Sequence, residues 1–283
     1  MSNRTSSSLP DRLLILAAQF TRHNDTLAHL ALVTPETAAA LPAHIASAQR
    51  LARATVETVD GITGQRLERT PDVNDVLIRL RQIAFLTNAA VDHFIDAEDI
   101  LTTAGDVASE SPDVYDQYHR RDVLLDAGRQ LHVARDLTAL APESSAQAAE
   151  TLTLAAHRQH LDAPTLPGPE ITLSRAQDSA LRAIARGQVQ IYEAAGRQRV
   201  TSHDERLLLT TLRSLESKQL IQYNLRPDLY DRHRVRLTAT GRQTLIANYG
   251  RPQKSALTTK AVPKAAYSTA SSPATRPAAP RTR

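Results

Sequence analysis

Three carboxylates, Asp92, Asp96 and Asp99, stand at i, i+4 and i+7 in the stretch VDHFIDAED, with His93 beside the first. On a helix this spacing lines the carboxylates along one face, an arrangement that supplies oxygen ligands to metals in helical proteins. No Glu-x-x-His sequence stands elsewhere to complete such a centre, so the three read as a solvated acidic face. His157 and His160 in HRQH sit at i, i+3, a spacing that can hold a transition metal. They lie at the end of a helical pattern just before a proline-rich stretch, where exposed histidines are expected. His119 and His132 are too far apart to face each other on one straight helix. The chain has no Cys, so a thiol nucleophile, a disulfide framework and a cysteine metal site are all excluded. Ser174 and the serines near residue 1 lack a nucleophile-elbow sequence, and no stretch has Walker or Rossmann glycine spacing. The expectation is therefore no catalytic residue, no cofactor and no metal site: a protein that is not an enzyme.

The cations are distributed more tellingly. Arg232, Arg234 and Arg236 alternate with His233, Val235 and Leu237 in DRHRVRLTATGRQTL. On a strand that alternation sends the three arginines to one face, as a charged edge that discourages pairing or as a surface for phosphates. Residues 1–170 carry 14 Arg and 23 acids, a net of −9, whereas residues 171–250 carry 13 basic and 7 acidic groups, a net of +6. Residues 251–283 add seven cations and no acid. An acidic half joined to a basic half points to nucleic-acid contact confined to the latter. Arg outnumbers Lys 30 to 4, which weakens any argument from Arg content alone.

The elements that must position these residues follow from composition and period. With aromatics at 4% and no Trp, the core has to be built from Ala, Leu, Val and Ile, which favours helices. Residues 1–163 read as successive helices forming an antiparallel bundle. One begins near Pro10, one spans about 35–59 and contains Pro42, which leaves one helix or two pieces open, one spans 71–104, and two more span 113–140 and 144–161. The third is the clearest: Thr70 as N-cap, Pro71 at N1, Asp72 in the first turn, Gly105 as the stop. Val73, Leu77, Leu80, Ala84, Thr87, Val91, Phe94, Glu98 and Leu101 follow a 4,3 spacing along this helix of roughly 50 Å. That seam motivates a possible homodimer. LDAPTLPGPE marks a boundary, with 164–170 as linker, and the acid-free stretch 251–283 is expected to be a disordered basic tail. The apolar run LLILAA is too short to span a bilayer and lacks a basic leader, so the expectation is a cytoplasmic protein with no membrane partner.

Residues 171–250 change character. Ser174 and Gln177 make a capping box before the apolar face Ala180, Leu181, Ile184 and Ala185, and Gly187 ends that helix. QVQIYEAAGRQRVTS reads as one or two short strands. A helix over 202–218 follows, capped by Ser202, with Leu208, Leu212 and Leu215 inside and Arg206, Thr210, Arg213 and Ser217 outside. Strands at about 220–225 and 233–237 and a last helix capped by Thr238 complete the order.

Three motifs in this order carry a resemblance. LSRAQDSALRAIA is similar to the opening helix of the MarR-type winged-helix family, TTLRSLESKQLIQY to its recognition helix and first wing strand, and DRHRVRLTATGRQTL to its second wing strand and exit. Together they cover about 75 residues. Gln219 stands where that family writes Gly, so the turn is expected to need another backbone solution. Only 15 residues, 187–201, precede the second helix, which leaves little room for the supporting helix of a helix-turn-helix. The resemblance implies a mainly α chain with a C-terminal α+β winged helix that binds double-stranded DNA as a transcriptional regulator. It implies that Arg206, Thr210 and Arg213 reach bases or flanking phosphates, that His203 lies at the helix start, and that Arg226, Arg232, Arg234 and Arg236 lie along the minor groove or its phosphate walls. The alternative is an adaptor in which the winged helix and the bundle bind protein. Nothing in the sequence identifies a small-molecule effector.

Overall fold

The computed structural model describes residues 7–28, 30, 35–65, 68–107, 114–159, 171–194, 196–202, 207–223 and 232–249. Along them run helices α1 (Leu9–Ala28), α2 (Pro35–Thr63), α3 (Pro71–Val107), α4 (Val114–Ala139), α5 (Ala141–Arg158) and α6 (Arg175–Ala185). Then come strands β1 (Val189–Ala194) and β2 (Arg197–Ser202), helix α7 (Leu209–Ser217), strands β3 (Ile221–Tyr223) and β4 (Arg232–Leu237), and helix α8 (Ala239–Tyr249). The described residues are mainly helical, with a four-stranded antiparallel sheet in the order β2-β1-β4-β3. No helix of the described residues is long and apolar enough to cross a membrane.

Two apolar clusters hold this together. In one, Leu27, Leu41, Ala48, Val91, Phe94, Leu101, Leu131 and Ala134 join α1, α2, α3 and α4. The other runs without interruption from Leu13 and Phe20 of α1, through Leu80 of α3 and Leu152 of α5, to Leu181, Val189, Leu212, Leu220, Val235 and Leu245. The N-terminal helices and residues 171–249 thus share one core, and all described residues fall within a single compact unit, Met1–Arg251. Alanine-rich helices that bury Thr must satisfy its hydroxyl. Thr21, Thr55, Thr87 and Thr153 each donate to the carbonyl four residues back, which closes the accounting without a partner helix.

Several local expectations change. Helix α2 is one piece: Pro42 lies inside it on the exposed side, where water can take the carbonyl that the ring leaves without a donor. Helix α3 runs through Gly105 to Val107. The 73–101 seam is spent inside the chain, with Val73, Leu80, Thr87, Val91, Phe94 and Leu101 buried where α3 meets α2, α4 and α5. Ser202 caps nothing. It pairs with Val189 at the end of the β1–β2 hairpin, and α7 starts at Leu209 with Leu208 as an exposed N-cap rather than an inner-face residue. The linker 164–170 and the tail 251–283 lie outside the described residues.

Candidate nucleic-acid interface

The capping box at the start of α6 forms as read. Ser174 Oγ accepts from the Gln177 backbone N–H, and Gln177 Oε1 accepts from the Ser174 N–H. The Gln177 amide also donates to Ser214 Oγ at 2.9 Å, tying α6 to α7. Lys218 follows α7 and donates to the Thr172 carbonyl and to Gln177 Oε1, so this cation is used in packing. Leu212 and Leu215 are fully buried, while Thr210, Arg213 and Ser217 are exposed on the opposite side. Helix α7 packs on α6, β2 and β3. Beside it, burial, a hydrogen bond to Glu216 and the charge of that carboxylate push the Tyr223 hydroxyl up to about 12, against the opposing pull of Arg213.

The turn from α7 into β3 keeps a left-handed backbone although no glycine is present: Gln219 adopts φ 57°. That conformation costs a non-glycine residue about 1–2 kcal/mol, and it is held from both sides. The Leu220 N–H donates to the Leu215 carbonyl, and the Thr238 hydroxyl donates to the Gln219 carbonyl at 2.7 Å. The Thr238 hydroxyl also accepts from the Gly241 N–H, and its own N–H donates to the Leu220 carbonyl. Gly241 sits so close to this strand that a Cβ there would stand 1.9 Å from the Leu220 carbonyl oxygen. Thr238 and Gly241 are therefore explained by fold.

Of the eight residues named as nucleic-acid contacts, His203, Arg206 and Arg226 lie outside the described residues, and Arg232 is described only as the backbone partner of Tyr192. Thr210 and Arg213 share the open face of α7. Arg234 is not a free phosphate ligand. Its Nε lies 3.1 Å from both carboxylate oxygens of Asp25 in α1, its other nitrogens bond Asp25 and the Gly187 carbonyl, and the two side chains are only 17% and 23% exposed. Arg236 is half-buried.

Cations that the sequence reading passed over are Arg197 and Arg199, both exposed on the edge strand β2. Val189, Ile191 and Val200 turn to the core, so Arg197, Arg199 and Thr201 alternate outward, with Arg199 opposite Tyr192. The alternation in GRQRVTS after a turn glycine carried that signal.

The other candidates stay apart. His93 Nδ1 lies 2.6 Å from Gln130 Oε1 between α3 and α4, while Asp92, Asp96 and Asp99 are exposed. His157 Nδ1 meets the Thr153 carbonyl, and His160 lies outside the described residues. Among the described residues no group of three or more His, Asp or Glu side chains is placed to hold a metal ion. No protein-family model, curated protein or solved structure matches the chain.

Proposed function

We propose that residues 171–249 form a winged helix that binds double-stranded DNA, in a cytoplasmic transcriptional regulator whose N-terminal helices form the body. The order helix, hairpin, helix, hairpin, helix and the pairing of β1 with β4 and β4 with β3 support that fold. In it the β1–β2 hairpin takes the place of the supporting helix. The observation that carries the function is the open face of α7: Leu212 and Leu215 are buried while Thr210, Arg213 and Ser217 stay exposed, and the helix packs on α6, β2 and β3. Arg213 would reach base edges or phosphates, and Arg197 and Arg199 would hold flanking phosphates.

Exposed Leu208 at the start of α7 and exposed Glu216 on its last turn favour a second reading, a protein-binding adaptor. Binding of the full chain to random duplex over a salt series separates the two. DNA binding gives a linear fall of log affinity with log salt, and the triple change Arg197→Ala, Arg199→Ala, Arg213→Ala makes the slope shallower by about 2–3. No binding at about 50 mM salt, or an unchanged slope in the triple variant, would sink this assignment of DNA contacts.

A further inference from the structure

The chain has three Phe residues; Phe20 and Phe94 are fully buried, and Phe85, on α3, is 72% exposed. It does not stand alone. Ile78, Arg81, Phe85, Asn88, Asp92, Ile95 and Asp99 follow a 3,4 spacing along the side of α3 that faces away from its buried seam, and each is exposed. At 100° per residue these positions stay within one stripe of the helix. Ile78 at 60% and Ile95 at 40% exposure flank Phe85, so three of the large exposed hydrophobics lie on this line.

Read in reverse, the stripe matches apolar to apolar at Ile78 and Ile95 and opposite charges at Arg81 and Asp92, while Phe85 meets the polar Asn88. Lay two copies of α3 antiparallel with a two-fold axis between Leu86 and Thr87. Ile78 then faces Ile95, Arg81 faces Asp92, Phe85 faces Asn88, and the exposed Asn74 faces Asp99. Each pairing occurs twice, as an isologous interface requires. A parallel arrangement would instead set Arg81 against Arg81 and Asp92 against Asp92. The matched length, Asn74 to Asp99, is about 38 Å at 1.5 Å per residue.

We propose that this stripe is the contact between two copies of the chain, paired antiparallel through α3. Apolar side chains at spaced positions supply the burial, and the Arg81–Asp92 pairs fix direction and register, as charges beside a helical seam do. Self-association is read from mass in solution, so it stands or falls independently of duplex binding.

The full chain is measured by analytical ultracentrifugation from about 1 to 100 μM, the span in which a modest interface dissociates. A concentration-dependent dimer is expected. Phe85→Glu weakens it about 30-fold or more, as loss of a central aromatic anchor does. Arg81→Asp or Asp92→Arg alone weakens it about 10-fold, and the two changes together in one chain restore it. An equimolar mixture of the R81D and D92R chains forms a mixed dimer in preference to either homodimer. All these positions are exposed, and circular dichroism confirms that each variant keeps its helices. A monomer throughout the range overturns the proposal, as does a dimer indifferent to Phe85→Glu. A dimer lost on Phe85→Glu but not rescued by the charge exchange overturns the antiparallel register.

Discussion

His23 of α1 is 2% exposed and lies between α2 and α3, with its ring 6.1 Å from the His44 ring and 6.0 Å from the Phe94 ring. Its Nδ1 meets Ser47 Oγ at 3.1 Å, and its buried Nε2 has no hydrogen-bond partner among the described residues. A second proton would add an N–H with no acceptor in an apolar site beside another imidazole. Burial, and then the charge of His44, accordingly lower the His23 pKa from 6.5 to about 4. Between those values the unfolded chain holds more protons than the folded one, so stability is complete above pH 6.5 and is lost as pH falls toward 4. For this one group the loss is about 1 kcal/mol near pH 5.5 and about 3 kcal/mol near pH 4. Burial lowers His44 as well, which adds in the same direction. A chain of this length need not unfold in two states, so the direct assay is the NMR titration of the His23 ring protons in the folded protein. Urea unfolding of the wild type and His23→Gln across the same pH range gives the energetic readout. His23→Gln keeps a donor for Ser47 but cannot titrate, so it is the less stable protein at neutral pH and has the flatter profile. A ring that titrates at 6 or above, or parallel stability profiles for the two proteins, would refute the reasoning.

Gly241→Ala pushes a methyl into the backbone of Leu220, an overpacking that nothing flexible can absorb. A loss of about 3 kcal/mol, with a lower thermal midpoint by circular dichroism, is expected. The Arg234–Asp25 pair, each side chain about one-fifth exposed, gives a coupling of about 1–3 kcal/mol in a double-mutant cycle with Arg234→Met and Asp25→Asn, below that of a fully buried pair. Because Arg234 is already paired, Arg234→Met lowers stability but leaves the salt slope of duplex binding unchanged.

What the sequence made legible was local. Thr70 caps α3 through the Val73 N–H, Ser174 and Gln177 close their box, and Thr238 caps α8, because in each the partner stands three residues away. The same holds for the buried face of α6, where a 3.6-residue period reports the core directly. What it hid was tertiary. Ser202 reads as a helix cap, yet it closes a hairpin ladder with Val189, a pairing that no capping rule anticipates. Asp25 and Arg234 are 209 positions apart, so the strand's alternation set the face of Arg234 but not what that face meets. On α3 the 4,3 pattern marks a buried face, but one spent against α2, α4 and α5 rather than between two chains. The exposed stripe on the opposite side of the helix became visible only once burial separated the two.

The charge asymmetry needs the same separation. Among the described residues three bridges join the N-terminal helices to residues 171–249, and in each the acid comes from α1 or α5 and the cation from the C-terminal segment: Asp11 with Arg242 at 2.7 Å, Asp25 with Arg234, and Glu150 with Arg182. Arg182 also holds Asp178 at 2.9 Å and lies 4.8 Å over the ring of Tyr249. Burial works against its charge, but its bonds and Coulomb interactions with Asp178 and Glu150 outweigh that and raise its pKa. Part of the −9 and +6 imbalance is therefore neutralised inside the protein, and counting charges along the sequence overstates the field offered to a polyanion. A phosphate competing for Arg234 would have to displace a carboxylate bound by a two-pronged guanidinium, on a strand whose neighbours are sealed into the shared core. The exposed cations Arg197, Arg199 and Arg213 face no such competitor among these bridges. If duplex DNA binds here, it engages the β2 edge and the open face of α7, and the middle of the arginine comb stays with the N-terminal helices.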